Sequence, residues 1–234
     1  MASWTALDYG GNRDLGEQHY NDPSMVSLEG GNLVLKARKS PRDGFEYLAG
    51  SISSKGKVAL GPHGRLTTRQ YISPGDGIGV GVCLYGSNID EVGWPACGEI
   101  DATEIAVARG ESPFASIHGP GYSGGSPISA TRQGDTLIGR WAEHTLEWEP
   151  DRISWAIDGE TYHVAEATNP RAVNGWPFEQ PFFVTIVMTV GSGLSGPVDE
   201  STWPLSEQGM KEDPYAVFEF IRFEQKDQEG QEHP

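Results

Sequence analysis

An all-β sandwich is the fold class this chain predicts, on three observations. Apolar and polar residues alternate in short runs, Gly, Asp and Pro turn signals separate those runs, and no segment sustains a 3.6-residue apolar period. Val26 and Leu28, then Leu33, Leu35 and Ala37, alternate on either side of a Gly30-Gly31-Asn32 turn. Further along, Trp94, Pro95 and Gly98 lead into a strand-like segment that continues through Ile105, Ala106 and Val107. The segment GPGYSGG, 119–125, is too glycine-rich for a strand and too short for a linker, so it predicts a flexible loop carrying Tyr122 at the edge of a cleft. No Lys-Ser/Thr pair or helix follows it, which excludes a phosphate loop. Leu146 and Trp148, then Ile153, Trp155 and Ile157, then Tyr162 and Val164 alternate across Pro150-Asp151 and Asp158-Gly159, the second a strong hairpin signal. With 234 residues, no repeat and no linker, the chain reads as one domain over 1–234, its last segment, 226–234, a solvated tail. A chain of this length buries about 70% of its unfolded surface, enough for a two-sheet core.

Composition removes several function classes. The 33 acidic residues against 17 Lys and Arg leave a net charge of −16, whereas phosphate backbones need a basic footprint. Nucleic acid and polyanionic glycans are therefore poor partners. No run of 18 apolar residues offers a membrane span, and no charged-then-apolar leader is visible at Met1, so a processed start is expected. Cys83 and Cys97 close a 13-residue loop between two expected strands. A disulfide across the hairpin base, worth on the order of 3 kcal/mol, and two buried free thiols are both open readings. Neither the cysteines nor the six scattered histidines make a zinc pattern.

The stretch WPACGEIDATE, 94–104, carries the chemistry. Glu99, Asp101 and Glu104 place three carboxylates within six residues of an apolar, strand-like segment. Strand alternation puts Glu99 and Asp101 on one face and Glu104 on the other. An extra residue inserted at Ala102 or Thr103, a β-bulge, returns Glu104 to the face of its partners. Two carboxylates so placed can attack a sugar carbon and protonate a leaving oxygen, the tasks of retaining glycoside hydrolysis. The competing reading is a solvated strand face, which the apolar flanks disfavour.

These residues resemble the family 16 glycoside hydrolases, and within them the laminarinase-like branch, whose bulged signature is W-P-x-x-G-E-I-D-x-x-E. The other main branch lacks the extra residue. Gly16 to Tyr20, 30–39 (GGNLVLKARK), Gly50 to Lys57, 64–71 (GRLTTRQY), 116–125 (SIHGPGYSGG), 143–159 and 218–225 are similar to family segments in the same order, so the resemblance spans roughly residues 4 to 225. It implies a jelly roll of two antiparallel sheets whose concave face is the substrate cleft. Departures lie around that cleft. Gly16 stands for the family's asparagine before Glu17, Gly79 to Cys83 for an aromatic W-P-A-F-W strand, and Leu194 for a tryptophan within 187–196.

From the resemblance, Glu99 is expected to be the nucleophile and Glu104 the acid and later the base. Asp101 between them is expected to share a proton with Glu99, so that the three titrate as a unit. Trp94 can offer its face to a pyranose or belong to the core, and His118 can return beside the acid or be structural. Arg69 can meet sugar, a neighbouring acid or a surface ion-pair partner, and Tyr122, Glu17 and Tyr20 are weaker substrate contacts. The chemistry needs no cofactor. The resemblance allows a structural Ca2+ on the convex side, with Glu219 as its acid, and leaves the metal unknown. The expected protein is a secreted, monomeric endo-acting enzyme that cleaves β-1,3 bonds of a neutral glucan. Its rivals are the same chemistry on a β-galactan or mixed-linkage glucan, transglycosylation, and a glucan-binding module without catalysis.

Overall fold

The computed structural model describes residues 3–106 and 112–225, so Val107 and the tail expected at 226–234 lie outside the described residues. In chain order the strands are β1 (Thr5–Ala6), β2 (Tyr9–Gly10), β3 (His19–Asn21), β4 (Val26–Glu29), β5 (Asn32–Arg42), β6 (Phe45–Ala49), β7 (Ser51–Ser53), β8 (Gly64–Ile72) and β9 (Ile78–Gly86). After a single helical turn, α1 (Ile89–Val92), follow β10 (Glu99–Ala106), β11 (Phe114–His118), β12 (Ile128–Thr131), β13 (Trp141–Trp148), β14 (Arg152–Ile157), β15 (Glu160–Glu166), β16 (Phe182–Val190) and β17 (Tyr215–Gln225). A seven-stranded sheet in the order β1-β7-β16-β9-β10-β11-β12 packs on a ten-stranded sheet in the order β15-β14-β13-β8-β17-β5-β6-β3-β2, with β4 on β5. This two-sheet stack is a jelly roll.

Alternation explains the layers. On β13, Ala142, His144, Leu146 and Trp148 turn inward while the alternate residues are more exposed. Trp148 meets Phe182 of β16 edge-on at 5.2 Å, and its Nε1–H donates to the Phe178 carbonyl, 3.0 Å away. The Asp158-Gly159 turn joins β14 to β15 with both residues at positive φ, 51° and 84°, as a two-residue hairpin requires. One register differs from expectation. An extra residue in β15 shifts the pairing between Trp155 and Ala156, so Ala165 turns inward and Val164 outward, 38% exposed.

The hairpin of β9 and β10 decides the cysteine question. Cys83 lies opposite Asp101, and Tyr85 opposite Glu99, so Cys97 falls four residues beyond Cys83 in register. At strand rise that is about 13 Å, too far for a disulfide. Both thiols are free and buried, which corrects the bridge across the hairpin base.

Candidate active site

Strand β10 runs through the seven-stranded sheet with β9 on one side and β11 on the other. Glu99 faces Tyr85 and His118 across its two neighbours, and Asp101 faces Cys83 and Ser116. The ladder then slips: Thr103 pairs with Val82, and Glu104 pairs with Gly81 and Phe114. Ala102 is the extra residue. Because of it, Thr103 turns into the core, fully buried, while Glu104 joins Glu99 and Asp101 in lining a cleft of about 740 Å³. Gly98, at φ 78°, begins the strand where a side chain would strike Pro177 and Phe182.

Hydrogen bonds divide the acids. Glu99 Oε2 accepts from Trp94 Nε1–H at 2.6 Å, and its carboxyl also accepts from the Tyr85 hydroxyl. Asp101 Oδ2 accepts from Ser116 Oγ at 2.5 Å and lies 3.1 Å from His118 Nε2. The Ser116 hydroxyl lies 3.3 Å from Glu104 Oε2, a longer contact than the one it makes with Asp101. Burial, followed by the Asp101 charge, raises the pKa of Glu99, and His118, Tyr85 and Trp94 oppose that rise. Burial also drives Glu104 well above the carboxylate range, reinforced by Asp101 and Glu99 and offset only by Ser116. Both carboxyls are therefore raised, Glu99 to about 8, but three neighbours favour the charged form of Glu99 and only Ser116 that of Glu104. Burial lowers the pKa of His118, but its bond to Asp101 and the charges of Asp101 and Glu99 outweigh this and raise it.

The remaining candidates separate. Trp94 lines the cleft, 46% exposed, while its indole N–H holds Glu99. His118 stands beside the acids, 5.8 Å from the Trp94 ring. Glu17 lines the cleft, and its Oε2 accepts the Asn12 N–H. Tyr20 does not reach the cleft: alternation sends His19 and Asn21 there, and Tyr20 packs on Phe45 under Arg42. Tyr122 is likewise corrected. It is fully buried and donates to the Gly175 carbonyl at 2.9 Å, while Gly124 and Gly125 of its loop line the cleft. Arg69 points outward from the larger sheet and pairs with Glu219 at 2.5 Å over Trp141. Glu219, the acid named for the calcium expectation, is thus half-exposed and paired with Arg69.

Tyr85, Ser116 and Cys83 are site residues the sequence reading missed. Ser116 was accessible by alternation, two residues before His118 on the same face. Tyr85 and Cys83 required the register of β9, which no local pattern supplies. The Cys83 thiol is raised by burial and then by the charges of Asp101, Glu104 and Glu99, so it stays protonated. Its sulfur and carboxyl oxygens of Glu99 and Asp101 lie within 4.8 Å of one another, but those carboxyls already accept from Trp94 and Ser116.

Residues 16–206 match the family model described as glycosyl hydrolases family 16. The chain is 30% identical over 211 residues to a glucan endo-1,3-beta-glucosidase A1 of Niallia circulans, covering 80% of this chain but only 29% of that relative. Among solved structures it superposes on an endo-β-1,3-glucanase of Pyrococcus furiosus with a TM-score of 0.85 at 28% identity, covering 95% of this chain and 88% of that one. The laminarinase catalytic domain of Thermotoga maritima gives 0.86 at 28% identity, covering 97% and 92%.

Proposed function

The chain belongs to glycosyl hydrolase family 16, and we propose that it is a retaining endo-β-1,3-glucanase acting on a neutral, laminarin-like glucan. The bulged row of Glu99, Asp101 and Glu104, with hydrogen-bond donors gathered on Glu99, carries this reading. The Glu99 carboxylate attacks the anomeric carbon as its bond to the departing oxygen breaks, and Glu104 delivers its proton to that oxygen. The product is a glycosyl ester on Glu99. Glu104, now a carboxylate, takes a proton from water, the water oxygen attacks the same carbon, and the bond to Glu99 breaks with net retention. Asp101, held by Ser116 and His118, supplies negative charge between the two. The relatives named above, described as β-1,3-glucanases and a laminarinase, support the linkage. A net charge of −16 supports an uncharged polymer. A polymeric substrate also makes action outside the cell, by a single chain, part of this reading.

A second reading keeps the chemistry and changes the glycan. Gly81, Cys83 and Leu194 line the cleft where the resemblance implies aromatic side chains, which favours a substrate held by fewer stacking contacts. Reducing-end release from laminarin, mixed-linkage glucan, agarose and β-1,3-galactan tests both, with Glu99→Gln alongside. Activity on laminarin that falls below detection in the variant is expected. Activity on another glycan alone replaces the substrate, and binding by both proteins without hydrolysis makes the chain a recognition module.

A further inference from the structure

Behind the bulge, the inner face of the larger sheet is polar where a sandwich core is ordinarily apolar. Thr68 and Gln70 of β8 and His144 of β13 point inward, Thr68 directly opposite His144, and Thr103 of β10 turns toward this group from the other sheet. Each is at most 4% exposed. Gln70 Nε2–H donates to Thr103 Oγ1 at 3.4 Å, and from β14 the Trp155 Nε1–H donates to the Asp101 carbonyl at 2.9 Å. The indole is itself stacked on His163, ring centroids 5.0 Å apart.

Both contacts fall on the residues that flank Ala102. A bulge interrupts its ladder, so the backbone carbonyl at the slip and the hydroxyl turned inward beside it need partners from elsewhere. Two side chains of the opposite sheet provide them. Burying an amide is unfavourable unless it makes hydrogen bonds, and a leucine could fill the place of Gln70 without that cost. Packing alone therefore does not account for Gln70, whose Nε2–H meets the Thr103 hydroxyl while its Oε1 has no partner among the described residues.

We propose that Gln70 and Trp155 are positioning residues that clamp the bulge of β10 from behind and so hold the Glu104 carboxyl at its working place relative to Glu99. The inference rests on the reading of Glu104 as the acid. Neither residue touches substrate, and their effect passes through Thr103 and the Asp101 carbonyl to the backbone that carries Glu104. A small displacement there weakens proton delivery to the leaving oxygen without disturbing the groups that bind sugar.

The test compares a laminari-oligosaccharide, whose leaving oxygen needs a proton, with a 2,4-dinitrophenyl β-laminaribioside, whose leaving group departs without one. Gln70→Met and Thr103→Val each remove a donor or acceptor at nearly constant shape, Trp155→Phe removes the indole N–H together with part of the ring, and Thr103→Ser keeps the hydroxyl and loses only a methyl. In the first three, kcat/KM on the oligosaccharide is expected to fall about tenfold or more, while kcat/KM on the dinitrophenyl substrate, which reports bond cleavage without an acid, holds; kcat on the latter falls with the second step, where Glu104 is the base. Thr103→Ser is expected to follow the wild type. Equal losses of kcat/KM on both substrates, or Thr103→Val outperforming Thr103→Ser, would overturn the clamp and leave only a packing role. Should Gln70→Met or Trp155→Phe fail to fold, the Thr103 pair decides alone. A wild type inactive on both substrates overturns the glycosidase reading instead. The carbon-13 titration of the Glu104 carboxyl in Thr103→Val against Thr103→Ser still decides the clamp, a difference supporting it and identical curves overturning it.

Discussion

At the scale of single residues, the two glutamates differ above all by their donors. Glu99 is buried and Glu104 partly so, yet Trp94 and Tyr85 attend Glu99, whereas Glu104 shares the Ser116 hydroxyl with Asp101. Since Asp101 raises both carboxyls, Asp101→Asn should move both limbs of the pH–rate profile to lower pH, measured as kcat/KM on laminarin. An unmoved profile would show that Asp101 acts on neither. The raised Glu104 also has a consequence for stability. Above the ordinary carboxylate value of 4.5 the unfolded chain releases this proton while the folded chain retains it, so stability is fully present below that value and falls as pH rises toward the folded pKa. Glu104→Gln should therefore lower kcat by about 10² to 10⁴-fold and raise Tm at pH 8 by a few degrees, roughly the effect of 1 kcal/mol in a chain of this size. The gain in Tm should vanish below pH 4.5, and calorimetry at two pH values checks it.

At the scale of elements, β10 carries the function because one extra residue changes which way its side chains point. The acids and their spacing were legible in the sequence, and so was the need for a bulge, since plain alternation would have sent Glu104 inward. Which residue is extra was not, because Ala102 and Thr103 serve equally in sequence and only pairing with β9 distinguishes them. Deleting Ala102 leaves Glu99, Asp101 and Glu104 at regular alternate positions, all on the cleft face. The deletion should fold and keep Glu104 in the cleft, with kcat lowered about 100-fold by the changed spacing. Loss of the folded state by circular dichroism would show instead that the sheet itself needs the bulge. Strand β9 illustrates the opposite case. Gly81, Cys83 and Tyr85 read as an apolar strand with glycines, and their place beside the acids follows only from register.

At the scale of the whole molecule, a sandwich of two sheets gathers residues from Tyr9 to Leu194 around one cleft, in a chain whose formal net charge is −16. For a neutral glucan, KM should change by less than about twofold between about 20 and about 200 mM salt, because screening acts only on charged partners. A KM that falls steeply with added salt would point to an anionic glycan and overturn the neutral-substrate reading. The layers, the hairpin turns and the acid row follow from alternation, turn residues and spacing, which are local properties that every strand expresses on its own. Tyr122 in the core, Arg69 on the outer face, the unbridged cysteines and the site places of Tyr85 and Ser116 were decided by the tertiary structure. Each depends on which strand lies beside which and in what register, a choice made by burying two sheets against each other rather than by any short run of residues.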